Sequence, residues 1–312
     1  MIRMIPREIE TQLDWLELIE ALERGHSFPH AEITDSFLYR GDDTLLSRAA
    51  WIDGLGSLVK TATIFPGNPQ RGLASVNGSV TLFSDETGFL EALLDFHLVT
   101  KWKTAGDSLL AARCLARPES RRIALIGAGT VARSMHEAYS ALFPDAEFVI
   151  WNRTHQAAEA LSRELPRVQP EPDLRRAISG ADIICTATMS REPLISGAWL
   201  EEGQHLDLIG AYRPDMREVD DAALMRAELF VDSRDTTLEH IGELKDPLTR
   251  GIIQPTDIRG DFYDISRGAF QRRSNTAITI AKNGGGAHLD LMTSRYIFSK
   301  ALESGMAPAW KT

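Results

Sequence analysis

The fold of this chain is decided by the stretch Arg122-Ile-Ala-Leu-Ile-Gly-Ala-Gly-Thr-Val-Ala132. Its apolar start predicts a buried β-strand, and the residues after the two glycines predict an amphipathic helix that runs through Leu142. A second apolar segment, Glu147–Trp151, follows at the distance that a βαβ unit requires. The stretch therefore predicts a strand, a glycine turn and a helix of a Rossmann domain.

Each small residue of the turn has a physical role in binding a dinucleotide. Gly127 permits the tight turn, Gly129 lets a pyrophosphate approach the backbone, and Ala132 lets the helix pack closely on the strand. Thr130 and Val131 begin the helix, so we expect their free N–H groups and the helix dipole to face the phosphates. The alternative is a glycine turn between two core elements that binds no ligand.

The residues after the second strand bear on the choice of cofactor. NAD-binding folds usually have an acidic residue there for the ribose hydroxyls, but this chain has Asn152, Arg153 and Thr154. Arg153 and Thr154 could bind a 2′-phosphate through charge-assisted hydrogen bonds. We therefore favour NADPH over NADH, and the alternative is that Arg153 is a solvated loop cation.

The composition excludes several classes of protein. The chain has 312 residues, 43% hydrophobic residues and a formal net charge of −10, which allows two domains and argues against a nucleic-acid surface. No apolar run approaches membrane length, and acidic residues such as Glu8 and Glu10 interrupt the N-terminal segment, which is unlike a signal peptide. Cys114 and Cys185 lack metal-like spacing, so we predict no metal site and a reduced, cytoplasmic setting.

The first part of the chain predicts an α+β domain. Apolar residues recur at helical spacing through residues 1–26, and the next segments alternate between apolar and polar residues. We predict strands at Thr44–Ile52, Gly56–Ile64, Val76–Phe83 and Phe89–Leu94, and a helix at Leu98–Ala116. These elements predict an antiparallel sheet with helices, which forms a separate domain over residues 1–118.

The second part of the chain alternates strands and helices as a Rossmann domain does. We place this NAD(P)-binding domain at residues 119–291, after a linker at Pro118–Arg121. Its predicted elements are strand 122–127, helix 130–142, strand 147–151, helix 155–164, helix 171–179, and strands 183–186, 205–209, 230–232 and 277–280. An amphipathic helix is predicted over about 287–303. We expect the C-terminal helical region, about 292–312, to complete the first domain.

Several segments resemble the ornithine cyclodeaminase/μ-crystallin family. The resemblance rests on Gly56–Asn68, which carries a lysine on a strand before a Pro-x-Asn turn, on the hairpin Gly72–Gly88, and on Leu98–Ala105, together with the glycine motif in the expected order. It covers nearly the whole chain. It implies a Rossmann fold and a homodimer in which the N-terminal region and the C-terminal helix make the subunit interface and the substrate pocket.

The chain departs from the family pattern at two positions. The family arginine of the T-x-x-R-T-A segment is Lys103 here, which supplies a point charge in place of a bidentate fork. The aspartate that cyclodeaminases use two residues after Gly210 is Tyr212. The segment Gly210–Glu218, of the form G-A-aromatic-x-P-x-M-R-E, is similar to the branch that reduces cyclic ketimine acids.

This resemblance implies an NAD(P)H-dependent reductase of a cyclic imino acid. The expected reaction converts Δ1-pyrroline-2-carboxylate to L-proline, and the six-membered analogue to L-pipecolate is a further candidate. Rival activities are an open-chain imino-acid reductase or amino-acid dehydrogenase, of the alanine dehydrogenase or iminosuccinate reductase type. Ornithine cyclodeamination ranks lower because of Tyr212, and a non-catalytic NADPH-binding or ligand-binding protein is an alternative of another class.

Two lysines are the predicted catalytic residues. Lys60 lies on an apolar strand, where a buried ammonium needs a partner such as a substrate carboxylate and where desolvation lowers its pKa. Lys103 is the second cation for that carboxylate. The alternatives are that Lys60 faces solvent and that Lys103 forms an ion pair with Asp107, four residues later on the same helix.

The remaining site predictions each have a plain structural alternative. Asn68, Thr104 and Tyr212 are predicted to bind substrate, although Asn68 could stabilise its own turn, Thr104 could bond its own helix and Tyr212 could only fill space. Asp290 is predicted either to cap the last helix or to contact the nicotinamide ribose. Three residues end a strand at the carboxyl edge of the sheet and are predicted to line the cofactor: Thr186, Ala187 and Thr188. His30 and Arg48 are weaker candidates for an anion contact.

Overall fold

The structure is a computed structural model that describes residues 2–309. The strands are β1 (Arg3–Ile5), β2 (Glu32–Arg40), β3 (Asp43–Ile52), β4 (Gly56–Ile64), β5 (Val76–Phe83), β6 (Leu90–Leu94), β7 (Arg122–Ile126), β8 (Glu147–Trp151), β9 (Val168–Pro170), β10 (Ile183–Thr186), β11 (His205–Leu208), β12 (Glu228–Val231), β13 (Ile258–Gly260) and β14 (Thr279–Lys282). The helices are α1 (Trp15–Gly25), α2 (Phe96–Leu115), α3 (Thr130–Leu142), α4 (His155–Glu164), α5 (Leu174–Ile178), α6 (Asp221–Arg226), α7 (Arg234–Thr237), α8 (Gly242–Thr249) and α9 (Ala287–Glu303).

The described residues form two compact units. The first unit contains the chain up to Lys103 and from Gly286 onward, and the second contains Thr104–Gly285. The division falls inside helix α2 and just before α9, whereas the sequence placed it at 118/119 and 291/292. The predicted functional boundaries stay a prediction, and residues 310–312 of the predicted C-terminal helical region lie outside the described residues.

The first unit contains a mixed six-stranded sheet in the order β1-β6-β5-β4-β3-β2. Its strands pair antiparallel except for β1, which runs parallel to β6. Residues of β4 are buried alternately, so Leu58, Lys60 and Ala62 share one covered face. Helix α9 packs on this sheet and on α1.

The second unit contains an eight-stranded, fully parallel sheet. Its order is β13-β12-β14-β11-β10-β7-β8-β9, which from β9 to β11 is the 3-2-1-4-5 order of a doubly wound Rossmann sheet. The strand order reverses between β7 and β10, and this reversal leaves a crevice at the carboxyl ends of the strands where such sheets bind ligands. The predicted fold class, a Rossmann domain with an α+β domain, is therefore confirmed.

The N-terminal segment differs from the single helix predicted over 1–26. Strand β1 and a short 3₁₀ helix at Arg7–Gln12 precede α1, which begins at Trp15. Asp14 caps α1 because its carboxylate accepts the N–H groups of Leu16 and Glu17. The prediction of one continuous helix was wrong. Ile9 is buried and fits the apolar spacing of an α-helix, but it belongs to the 3₁₀ helix, and α1 begins six residues later.

Other elements correct the predicted bounds. Strand β2 was not predicted, and the helix predicted over 171–179 is reduced to α5, capped by Asp173. Strand β14 extends to Lys282, two residues beyond the predicted end at residue 280. Helix α9 has its predicted limits but is not amphipathic at its start, since residues 287–294 are all buried. No helix of residues 2–309 is long and apolar enough to cross a membrane.

Candidate active site

The glycine turn of the second unit has the geometry that the sequence predicted. Gly127 has a φ of +115°, and a Cβ at this position would lie 2.7 Å from the carbonyl oxygen of Ala187. Its N–H donates to the carbonyl of Trp151 at 2.8 Å. A side chain would therefore be both strained and obstructed, so only glycine fits this turn.

The N-terminus of α3 offers an open cradle for a phosphate. Gly129 is the N-cap, no side chain caps the helix, and no atom lies within 4 Å of where a Gly129 Cβ would be. Ala132 is 1% exposed, so its methyl group is buried. Asn152 fixes the turn because its Oδ1 accepts the N–H of Ala128 at 3.1 Å. These features fit a dinucleotide, whose pyrophosphate would accept the free N–H groups at Thr130 and Val131.

The residues that bear on NADPH preference are exposed. Arg153 and Thr154 are accessible to solvent, and the Asn152 side chain donates to the carbonyl of Thr154 at 3.0 Å. An accessible guanidinium at this point is compatible with a 2′-phosphate. The preference for NADPH over NADH stays a prediction.

The carboxyl ends of β10 and β11 meet at a buried carboxylate that sequence reasoning missed. The hydroxyls of Thr186 and Thr188 each donate to Glu218 at 2.7 Å. These hydroxyls are therefore directed at the protein, and direct cofactor contacts by Thr186, Ala187 and Thr188 stay predictions. Glu218 was visible in the sequence as the last residue of the G-A-aromatic-x-P-x-M-R-E segment.

In the first unit, a row of charged side chains crosses the sheet. Asp35 on β2 lies opposite Arg48 on β3, and Arg48 lies opposite Lys60 on β4. Arg48 forms a bidentate pair with Asp35, with Nη2 2.6 Å from Oδ2 and Nε 3.2 Å from Oδ1. Directly opposite residues of neighbouring strands share a face of the sheet, so this register brings the side chains together.

Asp290 of α9 joins the end of this row. Its Oδ1 accepts the Lys60 ammonium at 2.8 Å, and its Oδ2 lies 3.5 Å from the Arg48 Nη1. Asp290 is fully buried and does not cap α9, whose N-cap is Gly286. The capping interpretation is therefore wrong, because the carboxylate is used by a lysine 230 residues away in sequence. Contact with the nicotinamide ribose stays a prediction.

Burial and neighbouring charges tune this pair. Burial lowers the pKa of Lys60 to about 8, with Asp290 opposing the shift and the charges of Lys103 and Arg48 adding to it. Burial alone would raise the pKa of Asp290, but the cations of Lys60, Lys103 and Arg48 lower it overall. The Lys60 ammonium also lies 4.9 Å from the centre of the Phe96 ring. Lys60 thus has a pKa suited to proton transfer near neutral pH.

Lys103 and His288 belong to the same charged cluster as Lys60, Arg48 and Asp290. Its cations are Lys60, Lys103 and Arg48, and its carboxylates are Asp290 and Asp35. Lys103 is 7% exposed. Buried His288 adds no charge, because burial and the charge of Lys103 lower its pKa to about 3. The cluster therefore brings the two predicted catalytic lysines, Lys60 and Lys103, into electrostatic interaction.

The other predicted site residues differ in their burial and contacts. Asn68 donates to the carbonyl of Ala74 at 2.9 Å, as its turn interpretation expected, and Tyr212 is 61% exposed. Thr104 belongs to the second unit and is half-buried, and His30 is exposed. Substrate contacts by Asn68, Thr104 and Tyr212, and a Lys103–Asp107 pair, stay predictions. Within the part of the chain that the structure describes, no group of three metal-ligating side chains could hold a metal ion.

The parallel sheet with its glycine turn and the charged cluster around Lys60 define a protein of two units, one of which has a dinucleotide-binding fold. The family model "Ornithine cyclodeaminase/mu-crystallin family" matches residues 52–305. The chain belongs to this family. The match includes the strand of Lys60, the glycine turn and Asp290, so the resemblance stated from the sequence is confirmed.

Relatives within the family extend over most of the chain. The Δ1-pyrroline-2-carboxylate reductase of Paracoccus denitrificans is 50% identical over 292 residues, which are 92% of this chain and 92% of that protein. The solved structure of the Thermococcus litoralis Δ1-pyrroline-2-carboxylate reductase in complex with NADH and L-proline is 27% identical, with a TM-score of 0.88 over 99% of this chain and 100% of that one. An archaeal alanine dehydrogenase dimer with bound NAD is also 27% identical, with a TM-score of 0.89 and 99% coverage of both chains.

Proposed function

We propose that this protein is an NAD(P)H-dependent ketimine reductase that converts Δ1-pyrroline-2-carboxylate to L-proline, and the six-membered analogue to L-pipecolate. The 50% identity to a Δ1-pyrroline-2-carboxylate reductase supports this assignment. The reaction adds a hydride to the imine carbon and a proton to the imine nitrogen, and it oxidises NAD(P)H to NAD(P)⁺. The protein must therefore hold the cofactor, bind a carboxylate and supply a proton.

The observation that carries the proposal is the buried Lys60 held by Asp290. Its ammonium is 2.8 Å from the carboxylate and has a pKa of about 8, so it carries a proton at neutral pH and can give it up. We assign Lys60 as the group that protonates the imine nitrogen or keeps it protonated. Asp290 orients Lys60 and opposes the loss of its proton.

The cations beside this pair suit the substrate carboxylate. Lys103 and Arg48 lie in the same charged cluster of the first unit, and Asp35 already occupies one side of Arg48. Lys103 is our main candidate for the carboxylate contact, because the family segment that it belongs to usually has a cation there, and Arg48 is a second candidate. The carboxylate of a bound imino acid would be attracted to both cations.

The second unit binds the cofactor at its glycine turn, and bound NAD(P)H supplies the hydride. Gly127, Gly129 and the start of α3 hold the pyrophosphate, while Arg153 selects NADPH through its 2′-phosphate. R153A should lower the ratio of kcat/KM for NADPH to that for NADH by ~10-fold, since one charge-assisted contact is lost. An unchanged ratio would remove Arg153 from the specificity site.

A second candidate is an amino-acid dehydrogenase acting on an open-chain imino acid. It is favoured by the alanine dehydrogenase structure, which matches this chain as well as the reductase structure does. The two functions use the same cofactor and the same substrate carboxylate. They differ in whether the imine is supplied as a ring or formed from an oxo acid and ammonia.

Product analysis tests the proposed function. The purified protein is incubated with NADPH and pyrroline-2-carboxylate, and proline is quantified by mass spectrometry. A control without NADPH should give no proline. A second control with ornithine and no added reductant should also give none, whereas ammonia and proline from ornithine would indicate cyclodeamination. Tight NADPH binding with no turnover of any imino acid would indicate a binding protein.

We further propose a homodimer. Strand β2 lies at an edge of the six-stranded sheet and exposes large apolar side chains, including Phe37, Leu38 and Tyr39, which are 48%, 67% and 72% exposed. An exposed, apolar edge strand is prone to aggregation. A second copy of the chain that packs on β2 would bury these side chains. Light scattering should give twice the mass of the chain, and L38D should give a monomer. A monomeric wild-type protein would contradict the proposal.

We also propose a cytoplasmic location. Neither Cys114 nor Cys185 forms a disulfide bond, and reduced cysteines are usual in a reducing compartment. Fractionation of the source cells should recover the protein with cytoplasmic markers. Recovery in an exported fraction would contradict this location.

A further inference from the structure

A single buried carboxylate holds two turns of the Rossmann sheet together. Glu218 is 0% exposed. Its Oε1 accepts the N–H and the hydroxyl of Thr188, at 3.0 and 2.7 Å. Its Oε2 accepts the hydroxyl of Thr186 at 2.7 Å and the N–H groups of Gly210 and Ala211 at 2.9 and 3.2 Å. Glu218 therefore binds the chain at the carboxyl ends of both β10 and β11.

The β10 turn in this arrangement also supports the glycine turn of the cofactor site. The N–H of Ala187 donates to the carbonyl of Ile126 at 2.8 Å, and the Ala187 carbonyl is the group that a side chain at Gly127 would meet. Glu218 thus fixes a turn that packs directly on the predicted pyrophosphate site. The Glu218 carboxylate joins the ends of β10 and β11, and the backbone of Ala187 joins the end of β10 to that of β7.

The turns approach one another as closely as glycine permits. A Cβ at Gly210 would lie 2.1 Å from the Thr188 carbonyl oxygen and 2.4 Å from the Glu218 Oε1. This position needs glycine although its φ is ordinary, because the β10 turn and Glu218 occupy the space. The glycine of the G-A-aromatic-x-P-x-M-R-E segment and its final glutamate are therefore two parts of one contact.

A second buried carboxylate supports the segment that carries Glu218. Glu243 accepts the N–H groups of Glu218 and Val219 at 2.6 and 3.1 Å. Burial, and then the charge of Glu218, raises the pKa of Glu243 to about 7, while Lys282 opposes the shift. Lys282 is itself buried and donates to the carbonyls of Leu208 and Asn283 at 2.7 Å. Glu243 thus fixes the backbone at Glu218, while the Glu218 side chain accepts hydrogen bonds from the β10 and β11 turns.

We propose that Glu218 is a positioning residue for the nicotinamide dinucleotide, because its carboxylate holds the β10 and β11 turns in the arrangement that cofactor binding requires. The inference rests on the proposed function only in naming the cofactor. Glu218 is buried and contacts protein donors with both oxygens, so it acts through the turns. Its loss should weaken NADPH binding more than it changes the chemical step.

Glutamine cannot replace Glu218, although it has nearly the same shape. One half of the carboxylate faces the N–H of Thr188, and the other faces the N–H groups of Gly210 and Ala211. In either orientation of the amide, its NH₂ would point at a backbone N–H that cannot become an acceptor. Two donors then face each other in a buried site, so one turn must move.

The experiment compares E218Q with D182N. Asp182 is a matched control because its carboxylate accepts the N–H groups of Arg121 and Arg122 at 2.8 and 3.0 Å, but at the amino end of β7 and β10. Kd for NADPH is measured by fluorescence, and stability by urea unfolding. E218Q should raise Kd by ~10-fold or more, as expected for a lost buried network, while D182N stays within about twofold of wild type. Wild-type affinity in E218Q, or equal weakening in D182N, would overturn the inference.

If E218Q does not fold, two variants of Thr188 test whether the contact with Glu218 supports NADPH binding. T188S keeps the hydroxyl that donates to Glu218, and T188V replaces it with a methyl group of similar size. T188V should raise both Kd and KM for NADPH severalfold with little change in kcat, and T188S should retain wild-type values. Equal values for the two variants would overturn the inference. Because Kd needs no imino acid, these outcomes remain decisive even if the protein reduces no cyclic imine.

Discussion

The Lys60 ammonium lies 2.8 Å from the Asp290 carboxylate, and both side chains are buried. Lys60 projects from a central strand of the mixed sheet, and Asp290 from the first turns of the helix that packs on it. Burial of an ammonium is costly, and the carboxylate offsets part of that cost. The pair explains how a lysine can be held in an apolar strand with a pKa close to neutral.

Removal of Lys60 should abolish most turnover but leave cofactor binding intact. K60M is expected to lower kcat by ~100-fold or more, the usual contribution of a general acid. Its Kd for NADPH should remain within about twofold of wild type, because the glycine turn belongs to the other unit. K101M is the control, since Lys101 pairs with Glu10 at 2.9 Å. A kcat retained in K60M would remove Lys60 from the catalytic site.

The pH profile should report the protonation of Lys60. The lysine must carry a proton to deliver it, and its pKa is about 8, so kcat should fall as the pH rises through that value. Steady-state rates measured across the alkaline range with saturating cofactor and imino acid would show this limb. A flat profile up to about pH 10 would mean that another group supplies the proton.

Replacement of Asp290 should move the alkaline limb to lower pH. The charge and the hydrogen bond of Asp290 both raise the pKa of Lys60, so D290N should lower it below about 8. The pH dependence of kcat measures the shift. D35N is the comparison, because Asp35 pairs with Arg48 and its loss should move the limb less. An upward shift in D290N would contradict the assigned role of the pair.

The same pKa predicts how stability depends on pH. The pKa of Lys60 falls from 10.5 to about 8 on folding, so between these values the unfolded chain binds more protons than the folded one. Lys60 therefore makes the free energy of unfolding rise with pH over this interval. At pH values below the interval, the full cost of burying the charged ammonium lowers the stability of the folded protein. Urea unfolding across the interval should show a steeper rise in wild type than in K60M. Equal slopes of unfolding free energy against pH in wild type and K60M would contradict the lowered pKa of Lys60.

A charge at the mouth of the glycine turn should block the cofactor. Gly129 has a φ of −92° and open space at its Cβ position, so a side chain there should not disturb folding. G129D should weaken NADPH binding by at least ~10-fold through repulsion of the phosphates, and G129N should weaken it less. Fluorescence titration gives the affinities. Equal weakening by the two variants would indicate a steric effect.

Much of the Rossmann unit could be predicted because its signals are local. Strand β8 and helices α3 and α4 have their predicted limits, since apolar runs, glycines and polar turns mark them. Strand β2 was missed because it is exposed along almost its whole length. A strand without a buried face lacks the alternation of apolar and polar residues that reveals a strand.

The site was predicted less completely because its contacts are distant in sequence. Lys60 was recognisable as a lysine on an apolar strand, but its partner Asp290 lies beyond the whole Rossmann unit. Glu218 stood in a recognised segment, yet its role depends on the close approach of two turns, which only the folded sheet shows. Spacing indicates which residues share an element, and it gives no information about contacts between separate elements.

Substrate selectivity decides between a ketimine reductase and an open-chain amino-acid dehydrogenase. We would measure kcat/KM for pyrroline-2-carboxylate, for pyruvate with ammonia and for oxaloacetate with ammonia, each followed as NADPH oxidation. We expect a preference for the cyclic imine of at least ~100-fold, because the ring arrives as a preformed imine and needs no separate ammonia. A preference for either open-chain acid would keep the fold and the cofactor, but it would contradict the assignment as a ketimine reductase.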